Sequence, residues 1–394
     1  MTLARTPSRL ADNWLLPEHL ADVLPQEATR MEILRRRLLD LFWTRGYELV
    51  MPPLLEYLES LLSGAGYDLN LRTCKLSDQL SGRTLGVRAD MTPQVARIDA
   101  HLLNREGVAR LCYCGSTLHA RPASLVSSRE PIQLGAELYG YAGKAADREI
   151  LRLLADVLAA ADLPGFRLDL GHVGIFRALM EAAGTDTETS EAIFIRLQNK
   201  DEAGLAALIN HLPAPFAEAI FALPRLYGGI EVLAKARRIL PDLPSIATSI
   251  DTLNFLAESV PEWPVTIDLA DLRGYHYHNG AVFAAYVPGY PAAIALGGRY
   301  DGVGRSFGRM RPATGFSLDL RELTRLSSAA APQDAILAPS SLNDPALAEK
   351  IAALRDSGEI VVESLPEEEG RADPRCTKRL VRKDTDWMLE PIAS

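Results

Sequence analysis

The side chains best suited to bind a small polar ligand are concentrated between residues 271 and 322. Arg273 precedes a glycine, Arg299 follows two glycines, and several tyrosines and histidines lie between them. Apolar runs rich in Val, Ile, Phe and Tyr that are broken by glycine pairs are typical of adjacent strands joined by turns. A guanidinium can form two parallel bonds with a carboxylate, and glycine lets the backbone approach a ligand closely. The stretch therefore predicts a pocket for a carboxylate-bearing ligand at the strand edges, with salt-bridged strand ends as the alternative.

A second set of polar side chains lies on a strand predicted over residues 132–140. Gln133, Gly135 and Glu137 share one face of that strand because strand side chains alternate, and apolar residues occupy the other face. Two polar side chains on either side of a glycine indicate the floor of a pocket. A solvent-facing strand gives the same pattern, so both interpretations stay open at this point.

Asp90 and Thr92 lie at the predicted start of a helix. Thr92 would be its N-cap, and the proline that follows would occupy its first turn. Asp90 comes just before that N-terminus, where it would either hold the ammonium group of a ligand or only complement the helix dipole.

Metal chemistry has little support in the sequence. His276 and His278 would share a face of a regular strand, but no carboxylate partner is evident. Cys112 and Cys114 would also lie on one face of a strand, but no second cysteine pair or histidine cluster completes a zinc site. We therefore expect free thiols, no metal and no cofactor.

Length and composition limit the class of protein. The chain has 394 residues, which at roughly 150 residues per domain gives two or three domains. Its formal net charge of −9 counts against a chain whose main role is to grip phosphate backbones, because that role needs a basic surface. No apolar run reaches the ~18 residues of a membrane-spanning helix, and none follows a basic N-terminus. We expect a soluble cytoplasmic protein.

The periodicity of the chain predicts helices and two groups of strands. Residues 27–45 carry a helical stripe of apolar residues, and the three arginines at 35–37 lie mostly off it, which favours a solvated face over a nucleic-acid contact. Helical patterns run from residue 175 to about 250 and separate two groups of predicted strands. After a linker-like stretch at 327–332 the pattern predicts a small β-α-β unit, and residues 366–394 are predicted to be charged and irregular.

Five segments together resemble motifs of the class II aminoacyl-tRNA synthetases, and specifically of histidyl-tRNA synthetase. Residues 45–53 resemble the first class II motif, and residues 88–92 resemble the Arg-Pro-Glu-Gly-Thr segment of the family. Residues 133–137 are similar to its histidine-binding strand, and residues 272–278 and 295–301 to its two histidine-specific signatures. Each motif is weak alone, but the combination is highly specific.

The resemblance implies an α+β fold and a domain arrangement. Residues 1–325 are expected to form a class II synthetase-like core, with a mostly antiparallel sheet flanked by helices and a helical insert at about 175–250. Residues 333–394 are expected to form a small C-terminal α/β domain, truncated relative to an anticodon-binding domain. The first motif lies at a dimer interface in the family, so a self-dimer is expected.

Two departures from the synthetase pattern affect the expected nucleotide site. The second class II motif should contain an Arg-x-Glu that holds ATP and the substrate carboxylate, and residues 116–122 lack it. In the third motif Asp319 stands where the family has a glycine, and Arg321 and Glu322 reverse the final pair. A carboxylate near ATP phosphates is repulsive, and a shift of one residue re-aims the guanidinium. The departures imply that the ATP and tRNA machinery is lost while the histidine pocket remains.

This combination is similar to the histidyl-tRNA synthetase-like regulatory subunits of ATP phosphoribosyltransferase. Members of that family are non-catalytic, pair with a short-form catalytic subunit in the first step of histidine biosynthesis, and mediate feedback inhibition by histidine. The resemblance implies such a hetero-oligomer, with free histidine as the effector. An active histidyl-tRNA synthetase and a synthetase-like RNA-binding module are the alternatives, and the missing arginine and the negative net charge count against tRNA as a partner.

Carrying the family's histidine site onto this sequence assigns seven binding residues, which are Asp90, Thr92, Gln133, Glu137, Arg273, Tyr277 and His278. The first two are expected to hold the α-amino group, and Gln133 and Arg273 to meet the carboxylate side. The other three are expected to surround the imidazole. The family usually has a tyrosine where His278 stands, so this contact departs from the pattern.

Overall fold

The computed structural model describes residues 15–63, 67–122, 124, 127–163, 165–328, 334–365 and 373–392. The chain divides into two compact units, Met1–Ala329 and Ala330–Ser394. Within the described ranges, no helix is long and apolar enough to cross a membrane.

The first unit is built on a large sheet that has nine strands among the described residues. In chain order the strands of this unit are β1 (Glu48–Leu49), β2 (Leu55–Tyr57), β3 (Cys74–Ser77), β4 (Thr84–Val87), β5 (Ala109–Ser116), β6 (Ile132–Tyr139), β7 (Arg167–His172), β8 (Tyr227–Gly228), β9 (Val265–Asp268), β10 (Ala281–Tyr286), β11 (Ala295–Arg299) and β12 (Ala313–Asp319). The large sheet has the order β1-β5-β6-β12-β11-β10-β7-β9-β8, and within it the β1–β5 and β7–β9 pairs are parallel. The remaining pairs are antiparallel, which confirms the predicted α+β fold with a mostly antiparallel sheet. The other three strands form a small sheet in the order β2-β4-β3.

Helices cover the large sheet and fill the connection between β7 and β9. They are α1 (Pro25–Thr44), α2 (Leu58–Leu61), α3 (Tyr67–Arg72), α4 (Thr92–Arg97), α5 (Lys144–Ala160), α6 (Val173–Ala183), α7 (Thr187–Gln198), α8 (Glu202–Ile209), α9 (Ala214–Ala222), α10 (Glu231–Ile239), α11 (Pro244–Glu258) and α12 (Leu320–Leu326). The insert runs from α6 to α11 and is slightly longer than predicted. The prediction that it is helical throughout is wrong, because the two residues of β8 leave it to pair with β9.

The two faces of the large sheet have different roles. Leu134 and Ala136 of β6 pack with Phe42 of α1 and Ile150 of α5 in one apolar core. Burying each large apolar side chain of this kind contributes about 1.5–3 kcal/mol to folding. Because strand side chains alternate, Glu137 points to the opposite face, where it lines a cavity. One face of β6 therefore builds the core, and the other is left for a ligand.

The arginine cluster of α1 is engaged by acidic and backbone partners. Arg35 and Arg36 both donate to Glu32, at 2.7 and 2.8 Å. Arg37 donates to the carbonyl of Ala160 on α5 at 2.8 Å. The interpretation as a solvated helix face with paired charges is thus confirmed.

The second unit is a four-stranded sheet in the described residues, with one helix. Its elements are β13 (Ala335–Ala338), α13 (Pro345–Asp356), β14 (Ile360–Glu363), β15 (Cys376–Lys383) and β16 (Asp386–Pro391). The sheet order is β14-β13-β15-β16, and the predicted β-α-β unit is its first part.

The prediction that residues 366–394 are irregular is wrong for their described part. β15 and β16 pair as an antiparallel hairpin. Five of the eight residues of β15 are exposed, and in this hairpin only Cys376 and Leu380 are fully buried. A strand of this kind gives almost no alternating apolar signal.

Candidate functional site

A cavity of about 550 Å³ lies between β6, β11, β12, the start of α4 and a turn at residues 271–279. Its lining includes all seven residues that the sequence assigns to a histidine site, namely Asp90, Thr92, Gln133, Glu137, Arg273, Tyr277 and His278. Pockets for small molecules typically have about 300–1,000 Å³. The fold therefore brings the predicted set together in a space suited to a small molecule.

Glu137 forms the floor of the cavity at its most buried point. Its side chain is 1% exposed, and its two carboxyl oxygens accept bonds from the hydroxyls of Tyr113, at 3.0 Å, and Tyr300. Among the described residues no arginine or lysine forms an ion pair with it. Burial therefore dominates and raises the pKa of Glu137 to about 8, although the two tyrosine bonds oppose this shift.

Two glycines make room for this carboxyl group and for one of its donors. Gly315 of β12 lies directly opposite Glu137, and a Cβ placed there would be 1.5 Å from Oε2. Gly135 lies opposite Tyr113 on β5, and a Cβ there would be 2.5 Å from the phenol ring. The glycine between the polar residues of β6 thus accommodates an aromatic ring, which confirms the interpretation as a cavity floor over that of a solvent-facing strand.

Asp90, Gln133 and the start of α4 are joined in one hydrogen-bonded group. Gln133 donates through Nε2 to Asp90 Oδ1 at 2.8 Å and accepts from the backbone N–H of Met91, also at 2.8 Å. Asp90 Oδ1 also accepts from the N–H of Thr92 at 2.9 Å. Thr92 is the first helical residue, not the N-cap as predicted, because Met91 occupies that position. The hydroxyl of Thr92 lies 3.0 Å from the hydroxyl of Tyr113 and so connects this group to Glu137.

Residues 271–279 form a turn, so the prediction that this segment belongs to a strand is wrong. Gly274 has φ +64, and a Cβ there would lie 2.5 Å from the ring of His278, so the turn requires a glycine. Tyr277 stacks on Tyr300 with ring centroids 4.9 Å apart, and its hydroxyl is buried without a hydrogen-bond partner. Unpaired buried hydroxyls are costly, so this group is a candidate to bond a ligand.

Arg273 lines the cavity but is already held by protein groups. Nε and Nη2 donate to the carboxylate of Asp271, and Nη1 donates to the hydroxyl of Tyr286. A guanidinium has five N–H donors, so one hydrogen on each terminal nitrogen stays available to a ligand.

His278 is a neutral group at this end of the cavity. Nδ1 donates to the carbonyl of Arg299 at 3.2 Å, since a carbonyl oxygen can only accept. Burial lowers the pKa of His278 to about 4.

Arg299 does not belong to the cavity, contrary to the prediction from the adjacent glycines. It is 7% exposed and binds Asp147 of α5 at 3.0 Å and the carbonyls of Tyr141 and Gly143. A buried guanidinium needs such partners, and the start of α5 supplies them. The alternative of salt-bridged strand ends is correct at this position.

His276 and His278 lie on opposite sides of the turn and do not form a metal pair. Nε2 of His276 lies 3.3 Å from Glu191 of α7, whereas His278 faces the cavity. Among the described residues there is no group of three or more His, Cys, Asp or Glu side chains that could hold a metal ion.

The cavity has two ends that differ in charge. Glu137, Tyr277, His278 and Tyr300 form the inner end, and Arg72, His119, Asp319 and Glu322 form the outer end. Along β12 the two ends are separated by the four residue steps from Gly315 to Asp319, which is about 13 Å.

The outer end provides acidic groups where a nucleotide site needs basic ones. Asp319 accepts from the N–H groups of Arg321 and Ile132, and burial raises its pKa to about 6. Arg321 points away from the cavity and donates to the carbonyl of Ala21 at 3.1 Å. Arg321 is therefore not part of the cavity lining, in agreement with the expectation from the reversed pair. Arg72 is engaged by a ring nitrogen of His119 at 2.9 Å.

Sequence reasoning missed three residues that surround the carboxyl group of Glu137, which are Tyr113, Tyr300 and Gly315. The glycine at position 135 was a usable signal for Tyr113, because a glycine in a strand often marks the close approach of another group. Tyr300 follows Arg299 within a motif that was recognised, but the motif does not say which of its side chains faces the ligand.

Two family descriptions match the chain. Residues 19–323 match the model described as histidyl-tRNA synthetase, and residues 332–390 match the model described as the ATP phosphoribosyltransferase subunit HisZ C-terminal domain. The two matches together span most of the chain.

Curated relatives are similar over nearly their whole length. A protein of Azoarcus sp. strain BH72 is 57% identical over 96% of this chain and 99% of its own length. A protein of Burkholderia mallei strain SAVP1 is also 57% identical, over 96% and 99%. Both carry the name ATP phosphoribosyltransferase regulatory subunit.

Solved structures share the fold. A crystal structure from Bacillus halodurans, titled as an ATP phosphoribosyltransferase regulatory subunit/histidyl-tRNA synthetase, has a TM-score of 0.80 at 27% identity and covers 91% of this chain and 94% of its own. Histidyl-tRNA synthetase from Nostoc sp. PCC 7120 has a TM-score of 0.76 at 18% identity, covering 94% of this chain and 91% of its own, and supports the fold alone.

Proposed function

The chain belongs to the family of histidyl-tRNA synthetase-like ATP phosphoribosyltransferase regulatory subunits, and we propose that it binds free histidine and passes this signal to a catalytic subunit. As such a regulatory subunit it is a non-catalytic component of the enzyme. It acts in the first step of histidine biosynthesis, in complex with a short-form ATP phosphoribosyltransferase. Histidine is the effector of the complex.

The observation that carries the histidine assignment is the buried Glu137. Each of its oxygens already accepts a tyrosine bond, and no cation of the described residues neutralises it. With a pKa of about 8 the group is mostly protonated at pH 7. Its proton then needs an acceptor, and a neutral imidazole nitrogen, with a reference pKa of about 6.5, is a suitable one. A carboxylic acid and a neutral imidazole form a strong bond without bringing net charge into the interior.

The remaining residues bind the polar ends of the amino acid. Asp90 receives the α-ammonium group, supported by Thr92. The free hydrogens of Gln133 Nε2 and of Arg273 meet the carboxylate. The unpartnered hydroxyl of Tyr277 completes the contacts around the imidazole, together with the neutral ring of His278.

Isothermal titration with L-histidine tests the site. We expect saturable binding by the isolated protein, weakened about 10–100-fold (about 1.4–2.7 kcal/mol) in Glu137→Gln, because an amide turns its NH2 group toward a tyrosine donor and offers no acidic proton. Glu349→Gln, an exposed change in α13, serves as the matched control. Undiminished binding in an Arg273→Ala, Glu137→Ala double variant would remove the assignment.

Regulation requires more than the binding of histidine in the cavity. Histidine must bind two states of the complex unequally, because equal affinity for both states shifts no equilibrium. We expect a short-form catalytic subunit to co-purify with this chain, to gain activity from it, and to lose that activity when histidine is added. Inhibition that is unchanged when the complex contains Glu137→Gln would place the feedback site on the partner.

The complex is also expected to contain a self-dimer of this chain. Light scattering after size-exclusion chromatography, on this chain alone and with its partner, measures this directly. A strictly monomeric chain in both samples would contradict it.

A further inference from the structure

The turn at residues 271–279, called here the two-sided segment, contacts different parts of the first unit on its two sides. Tyr275 and His276 pack on the helical insert, whereas Tyr277 and His278 line the cavity. Of these four consecutive side chains, the first two thus face the helical insert and the next two face the cavity. A shift of the backbone in this segment has to move both pairs together.

Tyr275 and His276 are packed on aromatic residues of α6 and α7. Tyr275 stacks on Phe194 with centroids 5.2 Å apart and meets the edge of Phe176, also at 5.2 Å. The ring of His276 contacts Phe194 edge-on. Both phenylalanines are buried in the core of the insert, so Tyr275 and His276 contact closely packed side chains.

Arg177 of α6 fixes the backbone of the two-sided segment. Its Nη2 donates to the carbonyls of Tyr275 and His278, both at 2.7 Å, and its guanidinium lies 5.0 Å from the centre of the Tyr275 ring. These two carbonyls enclose Tyr277 in the sequence. Charge-assisted bonds of this length are among the stronger ones in proteins. Arg177 itself is not part of the cavity lining.

We infer that Arg177 is a positioning residue for Tyr277 and His278, and that the two-sided segment transmits occupancy of the cavity to α6 and α7. The inference rests on the proposed histidine site. A ligand that contacts Tyr277 and His278 favours one arrangement of the segment, and the bonds from Arg177 favour the same arrangement. By thermodynamic linkage, ligand binding then stabilises the bonds from Arg177, and these bonds raise the affinity for the ligand. Helices α6 and α7 of the insert therefore respond to histidine bound in the cavity.

A double-mutant cycle separates positioning from general destabilisation. Arg177→Met keeps the length of the side chain and removes both donors, and we expect histidine affinity to fall about 10-fold. Tyr277→Phe should cost a similar factor, and the double variant should lose much less than the product of the two, because positioning a hydroxyl that is absent gains no affinity. Arg177→Met combined with Gln133→Leu should give the full product, since Gln133 is held by Asp90 and Met91. Arg196→Met on α7 removes an exposed ion pair with Asp201 and should leave the histidine affinity unchanged.

Hydrogen exchange tests the same inference without and with ligand. The amides of Tyr277 and His278 donate to the carbonyl of Gly274 at 2.8 and 2.7 Å. In the ligand-free protein they should exchange faster in Arg177→Met than in the wild type or in Arg196→Met. Arg177→Lys, which keeps the charge and can reach a carbonyl, should be intermediate. Histidine should protect amides of α6 and α7 in the wild type and fail to do so in Arg177→Met.

The outcomes are distinguishable from those of the proposed function. If the wild type does not bind histidine, the histidine site is wrong, while faster ligand-free exchange in Arg177→Met still supports positioning. Unchanged exchange at Tyr277 and His278 in Arg177→Met overturns the inference. Strictly multiplicative losses with Tyr277→Phe, in a protein that binds histidine, overturn it as well.

Discussion

The inner and outer ends of the cavity share the strands β6 and β12 but differ in what those strands present. At the inner end Gly315 leaves space for Glu137, and two tyrosine hydroxyls hold the carboxyl group in place. At the outer end the same strand presents the partly buried carboxyl of Asp319, and Arg321 turns toward the backbone at Ala21. The inner end thus presents a buried carboxyl group held by two tyrosines, whereas the outer end presents acidic side chains.

The comparison teaches that a shared fold does not fix a shared ligand. The overall fold is similar to that of a histidyl-tRNA synthetase, yet binding ATP requires cations at the phosphates. The two arginines that line the cavity, Arg72 and Arg273, are both engaged by protein groups. Among the described residues, the lining therefore shows no cluster of unpaired arginines of the kind that a triphosphate requires.

The largest expected effect comes from filling the space at the inner end. Gly315→Ala places a methyl group where Glu137 Oε2 now lies, so the carboxyl group must leave its tyrosine donors. We expect histidine affinity to fall at least about 100-fold, or about 2.7 kcal/mol, measured by titration calorimetry. Gly302→Ala is the matched control, because a Cβ there meets no atom within 4 Å. Equal affinity in both variants would break the assignment of the inner end.

Much of the inner end could be predicted from the sequence because the signals were local. The alternation of Gln133, Gly135 and Glu137 placed them on one face, and the motif around Arg273 added the turn residues. The helical insert followed from periodicity, and the mostly antiparallel sheet followed from the family resemblance.

The errors have physical causes that act over long distances in the chain. Arg299 lies beside two glycines, but its partner Asp147 comes from α5 and cannot be inferred from neighbouring residues. Tyr113 and Tyr300 reach Glu137 from β5 and from beyond β11, so their roles depend on strand register. The hairpin of β15 and β16 is hidden because most of its residues are exposed and few apolar ones are buried.

The next effect is on stability and not on binding, and it should separate the two arginines that the sequence placed at the pocket. Arg299→Met leaves the carboxyl of Asp147 buried without its cation, and we expect unfolding free energy to fall by about 3–5 kcal/mol in denaturant titrations. Burial already raises the pKa of Asp147, although Arg299 opposes that shift. Arg273→Met, whose side chain is more exposed, should mainly lower histidine affinity. A stable Arg299→Met variant with weak histidine binding would reverse the two roles.

A smaller effect on stability should come from Asp319, whose partly buried carboxyl group lies at the outer end. Asp319 has a pKa of about 6 in the folded state and about 3.8 when unfolded, so its contribution to stability is present below pH 3.8 and is lost as pH rises through 6. Asp319→Asn keeps an oxygen that can accept from Arg321 and Ile132 and never ionises. The variant should be more stable than the wild type at pH 7–8, by at most about 3 kcal/mol, and equal to it near pH 4. Thermal unfolding across this range measures the difference, and a less stable variant at pH 8 would mean that the charge is compensated.

The smallest expected effect concerns His278. His278→Asn can retain the bond to the carbonyl of Arg299, because the amide nitrogen of Asn occupies a position close to that of Nδ1. With a pKa lowered to about 4, the ring of His278 is neutral at pH 7 and gives a ligand no charge to pair with. Histidine affinity should therefore change by less than about threefold, under 1 kcal/mol, with Glu137 and Tyr277 unchanged. A loss above tenfold by calorimetry would mean that His278 and not Glu137 recognises the imidazole, and the contrast between the two ends would then rest on a different residue.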